Sequence, residues 1–307
     1  MRILVTGGCG FIGSFLVKKL VNLGFDVAVL DNLSSGSLAN LGDVVDKVRF
    51  IEGDVRKYRV VLKALKDVDV VYHLAALTSV QESIRKPMLY HEVNSKGTLN
   101  LLKASVENKI KKFIYASSCA VYGNPVKLPI SEDHPTNPLS PYAASKLSAE
   151  AYCKAYSNAY GLHVLILRLF NVYGPKQSEN YAGVIIEFIR RVKNNEPPVI
   201  FGDGEQTRDF IYVSDVVEYF TRALNYKLEN NFCEIFNIGT GKPITINQLA
   251  NLVLQVVEKR SLGVVYKEPK KGDIRHSVAD ISKAVNHLMY VPSCNIEEGL
   301  RKMLEFA

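Results

Sequence analysis

A glycine-rich turn directly after the first predicted strand restricts the fold of this 307-residue chain more than any other feature. The β-branched run at residues 2–6 leads into residues 6–13 (TGGCGFIG), and an apolar helical pattern follows at residues 11–23. Glycines at the spacings G-x-G-x-x-G and G-x-x-G-x-x-G permit a tight turn and close packing of a helix against a strand. The pattern predicts a strand–turn–helix unit at the start of an α/β fold.

Short apolar runs alternate with longer helical patterns through the first half of the sequence. The runs show little polar alternation, which is typical of strands buried on both faces of a parallel sheet. The predicted strands are residues 2–6, 26–30, 48–52, 69–73, 112–117 and 163–167, and the predicted helices are residues 11–23, 56–65, 88–108 and 142–160. The predicted fold class is therefore α/β, a doubly wound parallel (Rossmann) sheet with a smaller C-terminal α/β substrate domain.

The character of the sequence changes near residue 170, where pairs of glycine and proline begin to interrupt shorter elements. We predict a Rossmann domain at residues 1–170 and a second domain at residues 171–307. Segments near residues 209–213 and 234–238 are predicted to return as further strands of the first sheet. Two helices, near residues 281–288 and 296–306, are predicted to close the chain.

Composition limits the class of protein and its partners. Apolar residues make up 47% of the chain and charged residues 22%, which is typical of a globular protein and excludes a disordered one. Lys and Arg number 38 against 31 Asp and Glu, so the net charge of +7 favours an anionic partner. No apolar run reaches the length of about 18 residues that spans a membrane, and no signal peptide precedes the first strand. We therefore expect a soluble cytoplasmic protein without membrane contact.

The five cysteines are odd in number and form no Cys-x-x-Cys pair. A disulfide framework or a metal site is therefore not expected, and a reducing compartment fits this usage. Cys9 lies inside the glycine turn and Cys119 follows Ser118, so both thiols are predicted to be sensitive to oxidation.

The helix after the glycine turn would direct its first backbone N–H groups at a phosphate, as in dinucleotide sites. Asp31 follows the second predicted strand, 18 residues after Gly13. A carboxylate at this place accepts hydrogen bonds from a ribose diol and repels a 2′-phosphate. The pattern predicts NAD rather than NADP as the cofactor, while a strand-end cap is the alternative role for Asp31.

Tyr142 and Lys146 lie four residues apart in a predicted helix, so they share one face. A free tyrosine titrates near pH 10, and a neighbouring ammonium lowers that pKa because it favours the phenolate. Such a tyrosine can take the proton of a hydroxyl while hydride leaves its carbon.

Ser117 and Ser118 end the fifth predicted strand, where hydroxyls point into the ligand crevice of such folds. A solvated helix face and turn-forming serines are the structural alternatives.

Taken together, these motifs resemble the extended short-chain dehydrogenase/reductases, and among them the UDP-glucose (UDP-galactose) 4-epimerases, over nearly the whole chain. The resemblance implies that Tyr142 is the base, that Lys146 modulates it, and that Ser118 bonds the 4-oxygen of the sugar. Ser118 is chosen over Ser117 because the family hydroxyl lies four residues before Tyr122. The residues that the resemblance assigns to NAD are Gly7, Gly10, Phe11, Ile12, Gly13, Asp31, Asn32, Ser34, Gly36, Asp54, Val55, Leu74, Ala75, Ala76, Asn94, Tyr142 and Lys146.

The resemblance also implies a nucleotide-sugar site in the second half of the chain. The residues it assigns to the UDP-sugar are Ser118, Tyr142, Phe170, Asn171, Arg208, Lys270, Asp273 and Ser277. Arg208 would bind the diphosphate, for which a guanidinium supplies a planar fork. Lys270 departs from the family, which usually has a second diphosphate arginine there. A small residue at Ser277 would leave room for an N-acetyl group on C2 of the sugar.

Two positions after Ser118 discriminate between related chemistries. The 4,6-dehydratases carry an Asp-Glu pair where this chain has Cys119 and Ala120, and uronate decarboxylases also carry Glu at the second position. Without these carboxylates the resemblance favours reversible C4 epimerisation through a transient 4-keto sugar with NAD kept bound. The alternatives are a dehydratase or reductase, and an NAD-binding RNA-associated protein without catalysis. Family members usually dimerise through the helices near residues 88–108 and 142–160, so a homodimer without nucleic acid is expected.

Overall fold

A computed structural model describes residues 1–177, 183–228, 232–269 and 274–305 of the chain. The strands within these ranges run in the order of the sequence. They are β1 (Arg2–Thr6), β2 (Asp26–Asp31), β3 (Arg49–Glu52), β4 (Val70–His73), β5 (Lys112–Ser118), β6 (Val164–Leu169), β7 (Asn171–Tyr173), β8 (Val199–Phe201), β9 (Thr207–Tyr212), β10 (Cys233–Ile238), β11 (Pro243–Thr245) and β12 (Val265–Lys267).

The main sheet has seven strands in the order β10-β6-β5-β4-β1-β2-β3, and every pair in it is parallel. Alternate residues of one strand enter different cores, because successive side chains point to opposite faces. In β1, Ile3 and Val5 belong to one apolar cluster and Leu4 to the other. Both faces are therefore covered, which confirms the predicted doubly wound α/β class.

Each predicted helix matches an observed one to within two residues, with one exception. The observed helices are α1 (Phe11–Asn22), α2 (Tyr58–Ala64), α3 (Val80–Arg85), α4 (Pro87–Tyr90), α5 (Gly97–Glu107), α6 (Pro141–Tyr160), α7 (Val184–Lys193), α8 (Val213–Asn225), α9 (Ile246–Val256), α10 (Ser282–Leu288) and α11 (Ile296–Glu305). Of these, α3, α7, α8 and α9 had not been predicted. The single helix predicted at residues 88–108 is interrupted by a π-helical turn at His91–Lys96. Such wider turns re-aim side chains and are frequent at functional sites. Among the helices of the described ranges, none is both long and apolar enough to cross a membrane.

Two smaller sheets occupy the second half of the chain. One has the order β11-β9-β7 and the other pairs β12 with β8. The segment near residues 209–213 was predicted to return to the main sheet, and this is wrong, because β9 pairs with β7 and β11 instead. The segment near residues 234–238 does lie in the main sheet, as the edge strand β10 beside β6. The division of the chain at residue 170 stays a prediction.

Candidate active site

The glycine turn between β1 and α1 is built for close backbone contact. Gly7 has a φ of +69°, and a side chain there would approach the backbone nitrogen of Ala75 to 2.7 Å. A methyl group at Gly13 would overlap the carbonyl oxygen of Gly7. Only glycine fits both positions. At Gly7 the backbone conformation is one that residues with side chains rarely adopt, and at both positions the turn leaves no volume for a side chain.

The N-terminus of α1 offers unpaired backbone donors at this turn. Gly10 is the residue that precedes the helix; no side chain caps it there, and the first turn holds no acidic residue. The first N–H groups of a helix lack partners within the helix and carry partial positive charge, so they favour an anion. The turn and the 12-residue helix therefore fit the pyrophosphate of a dinucleotide.

Asp31, at the end of β2, faces the same turn. Its carboxylate accepts one hydrogen bond from the backbone N–H of Cys9 and one from that of Leu33, both at 2.9 Å. The side chain is 8% exposed and lines the cleft. Asp31 therefore has the contacts of a strand-end cap, because it bonds the backbone of the loop. It also places a negative charge at the cleft, as a ribose-binding carboxylate requires.

A cleft of about 510 Å³ runs along the carboxyl ends of the strands from the glycine turn to α6. It brings together most of the predicted cofactor residues. Those that line it are Gly7, Gly10, Phe11, Ile12, Gly13, Asp31, Asn32, Ser34, Asp54, Val55, Leu74, Ala75, Ala76, Tyr142 and Lys146. Ser118 and Phe170, predicted for the sugar, line the same cleft. Gly36 is not among its described lining residues, and packs against the backbone of Cys9.

Asn94, in the π-helical turn, supports the cleft from behind. Its side chain accepts a hydrogen bond from Leu77 N at 2.9 Å and donates to Leu77 O at 3.0 Å and to Ser145 Oγ at 2.9 Å. These three bonds tie the loop after β4 to α6. Asn94 is 1% exposed and is not among the described residues that line the cleft. The geometry therefore gives Asn94 a positioning contact, and its direct contact with the cofactor stays a prediction.

Some lining residues were missed in the sequence. Arg56 holds the Asp54 carboxylate, with a shortest distance of 2.6 Å, and lowers the pKa of that group by hydrogen bonding. Lys176 lines the cleft from beyond β7 and donates to the backbone oxygen of Asn40 at 2.9 Å. The only signal for Arg56 is its place two residues after Asp54. Lys176 follows a Gly-Pro turn that carries no chemical signature.

Tyr142, Lys146 and Ser118 meet where α6 crosses the end of β5. Helix α6 begins at Pro141, and the Ser140 side chain caps it by accepting from Ala143 N. This start places Tyr142 and Lys146 one turn apart on the buried face, 8% and 4% exposed. Ser118 lies near enough to Tyr142 for its hydroxyl to favour a lower pKa of the phenol. The predicted grouping of these three side chains is what the fold produces.

The pKa of Tyr142 differs from the sequence-based expectation. Burial raises the pKa of Tyr142 to about 12, and the Ser118 hydroxyl only partly opposes this. Burial also lowers the pKa of Lys146 to about 8. The Lys146 ammonium donates to the Ala116 carbonyl oxygen at 2.6 Å. Tyr142 is therefore a neutral hydroxyl at pH 7 in this state, and a further positive charge in the cleft is needed to make it a base.

A second cleft, of about 370 Å³, adjoins the first and shares Val172 and Gln177 with it. Asn171 and Arg208, both predicted for the substrate, line it. The sequence also allows Arg208 a structural role, an ion pair with the neighbouring Asp209, but no ion pair between them is found among the described residues. Asp209 instead accepts from backbone and hydroxyl groups of residues 240, 241 and 279.

Three predicted substrate residues remain. Lys270 and Asp273 lie outside the described residues. Ser277 is 7% exposed and donates from its backbone N–H to Thr207 O at 3.1 Å. It is not among the described residues that line either cleft, so its role at C2 of the sugar stays a prediction.

The fold and the site define a class. A glycine turn at a helix N-terminus, an acid at the end of β2, and a Tyr-x-x-x-Lys helix beside a strand-end serine are the features of an NAD-binding short-chain dehydrogenase/reductase. The chain belongs to the NAD dependent epimerase/dehydratase family, whose family model matches residues 3–239. This membership confirms the predicted family and NAD as the cofactor.

Individual relatives cover the whole chain. A UDP-glucose 4-epimerase of Mycolicibacterium smegmatis is 38% identical over 100% of this chain and 98% of its own length. The structure of a UDP-glucose 4-epimerase from Thermotoga maritima with UDP-glucose has a TM-score of 0.94 and 41% identity, covering 100% of this chain and 98% of that chain. A UDP-N-acetylglucosamine 4-epimerase from Methanobrevibacter ruminantium, in complex with UDP-N-acetylmuramic acid, has a TM-score of 0.94 and 41% identity, covering 99% of this chain and 97% of that chain.

Proposed function

We propose that this protein interconverts the C4 epimers of a UDP-hexose through a transient 4-keto sugar. One observation carries the proposal: Tyr142, Lys146 and Ser118 line the cofactor cleft together, close to the second cleft. The two clefts adjoin at Val172 and Gln177, and Arg208 lines the second one. A sugar whose diphosphate contacts Arg208 would therefore reach Tyr142 with its ring.

In this mechanism each side chain has a stated task. The glycine turn and Asp31 would hold NAD, which would supply a reversible hydride acceptor for C4 and a positive charge that favours the phenolate of Tyr142. Tyr142 takes the proton of the 4-hydroxyl and gives it back when the ketone is reduced. Ser118 donates to the same sugar oxygen, and Lys146 supplies a fixed positive charge beneath the site. Inversion at C4 requires the keto sugar to turn over between the two hydride transfers.

The residues beside Ser118 favour reduction of the ketone over elimination of water. Elimination needs a general acid and a general base at the sugar, and Cys119 and Ala120 supply neither. Burial raises the pKa of Cys119 to about 12, so the thiol is neutral at pH 7 and cannot act as a base. Two acids near the site, Glu150 and Asp209, are held by other groups. A dehydratase or decarboxylase is therefore the weaker alternative.

The sugar is proposed to be glucose/galactose or the corresponding N-acetyl sugars, each carried on UDP. The two structural relatives named above support UDP as the carrier, because they are described with UDP-sugars of both kinds. The second cleft and Arg208 provide the volume and charge for the nucleotide. Arg208 would bind the diphosphate with its planar fork of donors.

Incubation of the purified protein with UDP-glucose and, separately, with UDP-N-acetylglucosamine tests the proposal. Chromatography should show the C4 epimer, with no net NADH formed. Tyr142→Phe should lower kcat by about 100-fold or more, because it removes the proton-transfer group. Tyr160→Phe is the matched control, since Tyr160 is 60% exposed at the far end of the same helix. An unchanged rate in Tyr142→Phe, or no epimer from any UDP-hexose, would contradict the proposal.

The three alternative functions, a dehydratase, a reductase and an RNA-associated protein, give different results in the same assay. A dehydratase would accumulate a 4-keto-6-deoxy sugar and release water. A net reductase would consume NADH in stoichiometric amounts. An RNA-associated protein would convert nothing and would copurify with nucleic acid, detected as absorbance at 260 nm that ribonuclease treatment and dialysis remove.

We further propose that the protein is a homodimer formed through α5 and α6. The outer face of α6 supports this, because small and aromatic residues are exposed along it: Ala144, Ala151, Tyr152, Ala155, Ala159 and Tyr160. Light scattering should give about 68 kDa, twice the chain mass of 34.2 kDa. Ala155→Glu should give the monomer mass, and Asn251→Glu, on the exposed side of α9, should not.

The described cysteines are all free, which supports the cytoplasm as the compartment.

A further inference from the structure

Three side chains on one face of α6 meet three consecutive residues at the end of β5. Tyr142 lies beside Ser118, and the Lys146 ammonium donates to the carbonyl oxygen of Ala116. One turn further on, the Glu150 carboxylate accepts from the hydroxyl of the residue between them, Ser117, at 2.5 Å. Because residues four apart lie on one face of a helix, all three side chains reach this strand end, although their order along the helix differs from the order of their partners in the strand. The third contact is the one to which the proposed mechanism gives no role.

Glu150 is held in turn by a buried arginine. Arg168 of β6 donates to the two carboxylate oxygens from Nε at 3.0 Å and from Nη2 at 2.7 Å. Its Nη1 donates to Tyr122 OH at 2.9 Å, and Tyr122 OH donates to Asn237 Oδ1 of β10 at 2.6 Å. Glu150 is 1% exposed and Arg168 is 2% exposed. The carboxylate is thus fixed to three neighbouring strands of the sheet.

Buried ion pairs of this kind are poor sources of stability, because desolvation offsets much of the attraction. A pair retained at the active site therefore calls for another role. We propose that Glu150 is a positioning residue for the proposed reaction: it holds Ser117, and through it Ser118, in place, and it sets a negative charge beside Lys146. This inference rests on the proposed function.

The surroundings of Lys146 show what that charge does. Burial lowers the pKa of Lys146 to about 8, and the charge of Glu150 opposes the shift. The other titratable groups around it are Tyr142, Cys153, Tyr115 and His73. Burial keeps all four neutral near pH 7, since it raises the pKa of the thiol and the phenols and lowers the pKa of His73 to about 3. Among the described groups that face Lys146, Glu150 is the one that carries negative charge.

Two variants separate the two roles. Ser117→Ala removes the contact to the strand and leaves both charges in place. It should lower kcat by about tenfold, with KM and the pH profile unchanged. Glu150→Gln combined with Arg168→Gln removes both charges of the pair and keeps an acceptor for Ser117. It should move the alkaline limb of the kcat–pH profile to lower pH by roughly one unit, because Lys146 loses its proton more easily.

Ser157→Ala is the matched control for the first variant. Ser157 is a fully buried serine on the same helix, and its hydroxyl has no hydrogen-bond partner among the described residues. It should keep the wild-type kcat and pH profile. If the double variant fails to fold, Ser117→Ala decides alone, and a wild-type kcat in that variant overturns the proposal.

The pKa of Lys146 can also be measured without any activity, by NMR of ¹³C-labelled lysine, with Lys146→Arg to assign the signal. A lower value in the double variant than in the wild type supports the proposal. An unchanged value, together with an unchanged alkaline limb, shows that Glu150 only stabilises the fold and overturns it. Absence of epimerisation in the wild type would defeat the proposed function instead, while the NMR titration still reports on Glu150.

Discussion

Lys146 is buried against the strand that carries Ser118, and its Nζ donates to the backbone oxygen of Ala116 at 2.6 Å. The ammonium also lies 4.7 Å from the centre of the Tyr115 ring. These contacts fix the charge in one position, but burial still lowers the pKa of Lys146 to about 8. The buried ammonium of Lys146 therefore lowers the stability of the folded protein. A role in activity explains why a lysine occupies this position in the candidate site.

Lys146→Met is expected to lower epimerase activity and to raise the free energy of unfolding at pH 7, by about 1 kcal/mol. The native pKa lies below the unfolded value, so the unfolded wild type binds more protons between pH 8 and 10.5. The stability of the wild type should therefore rise with pH through that window, and the advantage of the variant should disappear. Urea unfolding at pH 7 and pH 10 measures both differences.

Lys112→Met provides the comparison for this experiment. Burial also lowers the pKa of Lys112 to about 8, but its ammonium donates to three backbone oxygens at the end of α8, the shortest at 2.6 Å. This variant should lose stability and keep activity. If Lys146→Met also loses stability at pH 7, the contacts of Lys146 outweigh its desolvation and the prediction fails.

The features that the sequence predicted correctly depend on residues that are close together in the chain. The glycines at 7, 10 and 13 act within one turn, and Tyr142 and Lys146 are neighbours on one helix, so their geometry follows from local structure. The strand at residues 207–212 was placed in the wrong sheet, because an apolar run shows that a strand is buried and not which strand it pairs with.

Contacts between distant segments account for what was missed at the site. Glu150 approaches Ser117 across 33 residues of sequence, and Asn94 reaches Ser145 across 51. The raised pKa of Tyr142 has the same origin, because burial depends on the packing of the whole cleft. The sequence shows that Lys146 lies near Tyr142, but it does not show how far burial of Tyr142 outweighs the effect of that charge on its pKa.

Gly13→Ala should abolish NAD binding and lower the free energy of unfolding by about 3 kcal/mol, because the new methyl group overlaps the Gly7 carbonyl. Gly24→Ala is its control: φ is +83° there, but open space surrounds the position. The control should cost about 1 kcal/mol from the backbone alone and keep NAD affinity. Calorimetric titration with NAD and thermal unfolding of both variants test this. Equal NAD affinities would show that the turn can relax.

Asp31→Asn should weaken the preference for NAD over NADP by about tenfold, since a 2′-phosphate no longer meets a carboxylate. The same change should lower stability by about 1 kcal/mol, because the amide cannot accept from both Cys9 N and Leu33 N. The ratio of the two dissociation constants separates these effects, since a loss of loop structure would weaken both cofactors equally. An unchanged ratio would leave Asp31 as a strand-end cap alone.

The thiols should react slowly in the native protein, contrary to the sensitivity expected for Cys9 and Cys119 from their positions. Burial raises the pKa of both to about 12, so about one thiol in ten thousand is ionised at pH 8, and the thiolate is the reactive form. A chromogenic disulfide such as Ellman's reagent should therefore react at least about 100-fold more slowly than with free cysteine, with a rate that still rises above pH 9. In urea all five cysteines should react promptly. One fast equivalent at pH 8 that disappears in Cys119→Ser, and not in Cys153→Ser, would show that the thiol beside Ser118 is accessible after all.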